Sequence, residues 1–195
     1  MSMTLQQYIE RVYQRVSQGM PQDKSGLYRK TIEAQILDSL QELADRTAQD
    51  HADRAILQKV YTVPMAGGIA PIQVGATSDL MPGYIQYVLH PNSSKPMQPL
   101  PWYTDLLTNK GNTLYYYYTV TANAIYGKKS DGVTNPEDAN LTVQANFIPV
   151  LTASASTVPP KKEADLVAIG VELAMKKILE DAGGAIVPPV GQQPL

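Results

Sequence analysis

The sequence predicts an α+β fold, with N-terminal helices and a C-terminal helix packed as a helical bundle and a mostly antiparallel β region of hairpins inserted between them. Three observations predict it. Apolar residues recur at three- and four-residue spacing up to about position 60, proline- and glycine-punctuated runs with two-residue alternation follow, and helical spacing returns at Glu163. The expected organisation is one domain over 1–183, made of a helical part (1–60), a β-rich insertion (61–151), a linker (152–162) and a last helix (163–183). A flexible tail (184–195) follows.

Leu5, Tyr8, Ile9, Val12 and Val16 share one face of a first helix that ends near Gly19. Pro21 and Gly26, among polar residues, mark a loop. A second helix is expected from about Arg29 to Gln49, its apolar stripe made of Ile32, Ile36, Leu37, Leu40, Leu43 and Ala44. A short helical piece around Asp53 to Gln58 leads onward. Seven prolines between 64 and 101 then forbid long helices. Tyr61–Met65 and Tyr84–Leu89 read as strands, and Leu114–Val120 and Ala122–Gly127 as strands around a turn at Asn123. Leu141, Val143, Ala145 and Phe147 alternate with Thr142, Gln144 and Asn146, so one face of that strand is buried and the other wet. Lys128–Asn140 is expected to join the last two strands as a hairpin. Thr152–Pro160 reads as an extended linker stopped by Pro159 and Pro160. Over Glu163–Ala182 a strong helix gathers Leu166, Val167, Ile169, Gly170, Leu173, Ala174, Lys177 and Ile178 near one side, with Gly183 and Gly184 as its cap. Ala185–Leu195 has three prolines and no period, the pattern of a tail ordered only when bound.

Composition narrows the function classes. With no cysteine among 195 residues, disulfides, zinc–cysteine sites and thiol catalysis are absent. Sixteen basic against eighteen acidic residues give a net charge of -2, against tight non-specific binding of nucleic acid. No leader pattern and no apolar run long enough to span a membrane is visible, so the expectation is synthesis in the cytoplasm and no membrane contact.

Candidate chemistry is sparse. His51 and His90 have no carboxylate or cysteine at metal-ligand spacing, and capping or surface roles explain them better. Ala66-Gly67-Gly68 and the run from Gly127 to Gly132 resemble phosphate cradles only superficially, because neither has the lysine and following helix of a nucleotide loop; hairpin turns account for both. The acids sit on helix faces and in turns, and Thr142, Gln144 and Asn146 supply no acid–base pair. The reading is therefore of a non-enzymatic protein, with no catalytic, metal or cofactor residue assigned and no cofactor expected. Aromatic residues carry more information. Tyr115–Tyr118 point two each way along a strand, and twelve tyrosines against one phenylalanine suit half-wet subunit contacts. Partner-binding residues are expected at Trp102, Tyr103, Tyr116 and Tyr118, and in the tail at Ile186, Val187 and Leu195. A carbohydrate- or peptide-binding β-rich module is the alternative of another class.

The order of these elements resembles that of the head-to-tail adaptor (connector, or neck) proteins of tailed bacteriophages. The stretches that carry the resemblance are ILQKVYTVPMAGGIAPI at 56–72, LPWYTDLLTNKGNTLYYYYTVTANAIYGKKSDG at 100–132 and FIPVLTASASTVPPKKEADLVAIGVELAMKKILEDAG at 147–183. The resemblance implies a homo-oligomeric ring, typically twelvefold, docked on the portal protein and offering its other face to a tail or neck protein. It implies a place in the virion between capsid and tail, and a channel that DNA crosses without specific binding. Asp38, Glu42 and Asp45 are expected to line that channel, and the tail to dock on the portal. Another phage neck, tail or baseplate structural protein is the nearest alternative. The stretch 73–100 departs from shorter members of the family and reads as a partner-specific insertion.

Overall fold

The computed structural model of the chain describes residues 3–21, 23, 26–93, 95–100, 116–129 and 134–182. Its four helices and two mostly antiparallel sheets make an α+β fold. The chain divides into two compact units, Met1–Asp45 with Pro149–Leu195 and Arg46–Ile148.

The first unit is the helical bundle. Helix α1 (Leu5–Gly19) opens with a reciprocal capping box in which the Gln7 amide donates to Thr4 Oγ1 at 3.2 Å and the Thr4 amide to Gln7 Oε1 at 2.9 Å. Helix α2 (Leu27–Ala34) is capped by Asp23, whose carboxylate accepts from the Leu27 and Tyr28 amides, both at 3.0 Å. Helix α3 (Ile36–Gln49) follows after one non-helical residue, Gln35. One helix was expected here, and a buried pair of hydrogen bonds meets at the break, where the Ser39 amide still reaches the Gln35 carbonyl at 2.9 Å. Tyr8 donates its hydroxyl proton to Ser39 Oγ at 3.0 Å, and Ser39 donates back to the Gln35 carbonyl at 2.8 Å. Such a bond to the preceding turn loosens a helix ladder locally. The expected stripe also changes, because Leu37 is 78% exposed and Ile36 half-buried, while Ser39, Leu40, Leu43 and Ala44 are buried.

Residues 152–162 are not a plain extended linker. Thr152 Oγ1 accepts the Ala155 amide at 3.0 Å, the Thr157 amide donates to the Val150 carbonyl at 2.9 Å, and Leu151 pairs with Ser156, so the segment doubles back in a tight hairpin. A threonine at the start of a turn supplies its own turn bond. Pro160–Lys162 then forms a 3-10 turn leading into α4 (Glu163–Asp181); proline is tolerated there because the first-turn N–H groups need no helical acceptor. Leu166, Val167, Ile169, Gly170, Ala174 and Ile178 are buried, whereas Lys177 is exposed and paired with Asp181 at 2.9 Å. The proposed Gly183–Gly184 cap lies outside the described residues. Helices α1 and α4 run parallel: Glu163 accepts the Met3 amide, Gly170 lies on Tyr8 and Val12, and Met175 lies beside Gly19.

The second unit holds the strands. One sheet has the order β1-β7-β3, from β1 (Gln58–Met65), β7 (Ala139–Phe147) and β3 (Leu80–Leu89). The other has the order β2-β6-β5-β4, from β2 (Ile69–Pro71), β6 (Ala124–Lys129), β5 (Tyr116–Val120) and β4 (Gln98–Pro99). A two-residue turn at Gly67 and Gly68, with φ of 56° and 81°, carries β1 into β2, and a Val88–Met97 bridge ties β3 to the residue before β4. Both flanks are thus tied, and the two sheets enclose one core as a small flattened barrel in which Val63, Leu80, Val88, Ile125, Leu141, Val143 and Ala145 have no exposed surface. Strand β3 starts earlier than expected and passes Pro82 and Gly83 through register shifts between Leu80 and Tyr87, as a proline inside a sheet requires.

The expected hairpin between the last two strands is corrected. Strand β6 pairs with β5 and β2, whereas β7 lies in the other sheet between β1 and β3. Alternation specifies which face of a strand is buried but leaves its neighbours open. Phe147 is half-buried against the core and Asn146 fully buried, its Nδ2 donating to the Arg54 carbonyl at 2.9 Å. The short helical piece before β1 is a 3-10 turn at Arg54–Leu57.

Candidate functional site

The densest polar cluster of the second unit gathers on residues 134–138, after β6. Asn135 Nδ2 donates to the Gly67 carbonyl at 2.6 Å, Lys128 Nζ donates to Asn135 Oδ1 at 2.6 Å, and Asp138 Oδ1 accepts the Gly67 amide at 2.8 Å. Glycine at 68 is favoured by this closeness and by its φ of 81°, since a Cβ there would stand 2.8 Å from Asn135 Cγ; a Cβ on Gly127 would stand 2.9 Å from Met65 Cε, the flexible end of its side chain. Ala66-Gly67-Gly68 is accordingly a hairpin turn gripped by side chains.

His90, a residue expected at the surface, is fully buried here. Its Nδ1 accepts the Asn92 amide at 3.1 Å, its Nε2 meets the Glu137 carbonyl at 2.9 Å, and its ring lies edge-on to Tyr116 at 4.8 Å. The ring is therefore the neutral tautomer with the proton on Nε2, and neither nitrogen remains for a metal or a proton transfer. Glu137 receives the Tyr116 hydroxyl proton on Oε2 at 2.8 Å and an ion pair from Lys129 on Oε1. The Lys129 hydrogen bond, a backbone N–H and the Tyr116 hydroxyl hold its carboxyl down at about 2, a strong acid and hence a poor base. Burial, together with the Glu137 bond, pushes the Tyr116 phenol up to about 12. The cluster is a staple, with its titratable groups committed to one another, to backbone groups or to Asn135.

Lys59 Nζ reaches Asp79 at 3.1 Å and lies over the Tyr61 ring at 4.8 Å. The Tyr61 hydroxyl is buried with no hydrogen-bond partner among the described residues, and burial with the Asp79 charge raises its pKa above the usual value. Asp79 is near enough to disfavour the phenolate. Among the described residues, no group of three His, Cys, Asp or Glu side chains is placed to hold a metal ion.

In the helical unit, a groove of about 510 Å³ is lined by Thr4, Leu5, Gln6 and Ile9 of α1, Arg29 and Glu33 of α2, and Ala153. Its floor is aliphatic and its rim polar. Arg29 is already paired with Glu10 at 3.0 Å. Sequence reading missed this groove, because Ala153 reaches it only through the hairpin at 150–157.

The expected site residues fall out as follows. Tyr116 and Tyr118 were expected at partner contacts; both are buried in the barrel core, since these alternate positions face inward, and that expectation is corrected. Asp38, Glu42 and Asp45 lie on one face of α3, Asp38 exposed and the other two half-buried, with Gln41 donating to Asp45 at 3.1 Å. Trp102, Tyr103, Ile186, Val187 and Leu195 lie outside the described residues. Exposed apolar side chains instead include Leu37 and Val150 of the helical unit and Val60, Val74 and the cross-strand pair Ile69 and Tyr126 of the β unit. No described helix is long and apolar enough to cross a membrane. No protein-family model matches the chain, and no curated protein is significantly similar to it in sequence.

Proposed function

We propose that the chain is a structural virion protein, a head-to-tail adaptor that forms a ring on the portal, joins the capsid vertex to the neck or tail, and extends the DNA channel. The observation that carries this reading is the order of its elements: helices from both ends of the chain make one unit, and a β unit is inserted between them. That is the order of the adaptors it resembles. Two further observations agree with an assembling role. Among the described residues Glu137, Tyr116 and Lys129 of the β unit are spent on an internal staple, and each unit keeps large apolar side chains exposed, such as Leu37 at 78% and Val74 at 61%. A heterologous contact repeated about an axis closes into a ring when its rotation divides the circle.

Mixing the full chain with a portal ring from the same genome tests the reading by electron microscopy and mass photometry. A second ring density coaxial with the portal is expected. A chain that stays monomeric at every concentration and never joins the portal, yet melts higher with an added glycan or peptide, overturns it in favour of a binding module.

A further inference from the structure

The groove beside the start of α1 has a size and chemistry that residues 183–195 can fill, and the direction of α4 bears on which copy can bring Ile186 and Val187 to it. We propose that this groove receives the segment 183–195 of a neighbouring copy of the chain. The inference rests on the ring reading above and supplies one of its subunit contacts; it moves the expected contact of the tail from the portal to the adjacent subunit.

The groove offers an aliphatic floor of Leu5 and Ile9 with Ala153 on its exposed wall, within the usual size range of ligand sites at about 510 Å³. Its one arginine is paired with Glu10 at 3.0 Å and its other charged lining residue is Glu33, so it does not call for an acidic side chain in its guest. Residues 183–195 read GGAIVPPVGQQPL, with four branched aliphatic side chains and no charged one. Pro188 and Pro189 fix their own φ and bias the preceding residues toward extended backbone, which reduces the entropy lost on docking.

Reach separates the two possible sources. Because α4 is parallel to α1, with Glu163 at Met3 and Met175 at Gly19, the segment leaves at the end of the bundle opposite the groove. Returning from Ala182 to the level of Ile9 covers about 22 Å at the helical rise. That distance uses about seven of the thirteen residues at extended length, so Ile186 and Val187 of the same chain fall short of the groove. A neighbouring copy, free of that detour, can place Ile186, Val187 and Val190 on the floor together.

The absence of cysteine makes the test clean. Full-length Ala153→Cys, at the exposed groove wall, is mixed with full-length Gly191→Cys under mild oxidation. The control replaces Ala153→Cys by Thr62→Cys, an exposed position on β1. Disulfide-linked dimers are expected to form on the order of a hundredfold faster than in the control, since docking raises the local thiol concentration from about ten micromolar to about millimolar. Equal rates overturn the proposal. So does a double variant, Ala153→Cys with Gly191→Cys, that closes within single chains while the mixture of single variants gives no dimer. The same variants, kept reduced, are assayed for portal association: binding without cross-linking sinks the inference and leaves the adaptor reading, whereas cross-linking without binding does the reverse.

Discussion

Gly170 is the residue on which the crossing of α1 and α4 turns. A Cβ there would fall against the Tyr8 hydroxyl oxygen, with Tyr8 Cζ at 2.9 Å and Val12 Cγ2 at 3.1 Å. Tyr8 cannot easily withdraw, because its hydroxyl is held by Ser39 at 3.0 Å in a buried site. Two effects compete in Gly170→Ala. Alanine gains about 1 kcal/mol of helix propensity, and overpacking costs about 1–3 kcal/mol, so a net loss of about 1 kcal/mol is expected in urea unfolding. Gly19→Ala is the control, since its Cβ would meet only Met175 Cε at an ordinary 3.5 Å and should be near neutral. In a Tyr8→Phe background the clashing oxygen is gone, and Gly170→Ala should lose less than it does alone. Equal losses in both backgrounds would remove Tyr8 from the explanation. Sequence placed Gly170 on the buried side of its helix, but spacing alone cannot say that a tyrosine from a helix about 160 positions earlier fills the space its missing side chain leaves.

At the scale of elements, the segment 134–138 is held to the Gly67 turn, β5, β6 and His90 by polar contacts, and its stability should follow the charge of Glu137. The folded-state value of about 2 lies below the ordinary 4.5, so the contribution is complete above about pH 5 and is lost as pH falls toward 2. Tyr116 has the opposite sign. Its value of about 12 lies above the ordinary 10, so its contribution is complete below pH 10 and is lost as pH rises through 12. Thermal melts of the wild type should drop on both flanks, and Glu137→Gln should flatten the acid flank. An acid flank of unchanged slope in the variant would contradict this. The strands themselves were legible in alternation and turn residues: the Gly67-Gly68 turn, the Thr121–Asn123 turn and the buried set Leu141, Val143 and Ala145 are all local signals. Partners were not legible. That β7 sits between β1 and β3, and that Glu137 meets a histidine 47 residues earlier, are decided by closure of the barrel, which no window of sequence contains.

At the scale of the whole molecule, Met1–Asp45 and Pro149–Leu195 make one unit and Arg46–Ile148 another, whereas composition led us to expect one domain with a β-rich insertion over 61–151. What composition could not announce is which exposed side chains remain once both cores are filled: Leu37 was expected inside and stands out, and Tyr116 and Tyr118 were expected at contacts and lie within. Charge survives this revision, because a net charge is summed over the chain whatever the fold. With sixteen basic and eighteen acidic residues, a subunit carries -2, and a ring multiplies that figure by its copy number. Each phosphate neutralised by a lysine or arginine would release counterions with a slope near -0.9 per contact. Described basic groups such as Arg29, Lys59, Lys129 and Lys177 are already bound to carboxylates. Binding to a short DNA duplex, followed by fluorescence anisotropy between about 50 and 200 mM salt, is therefore expected to be weaker than about 10⁻⁴ M throughout and nearly independent of salt. Micromolar affinity that falls steeply with salt would mean a basic surface gripping the backbone, and a wall that holds DNA in this way cannot be the passive channel of the proposed ring.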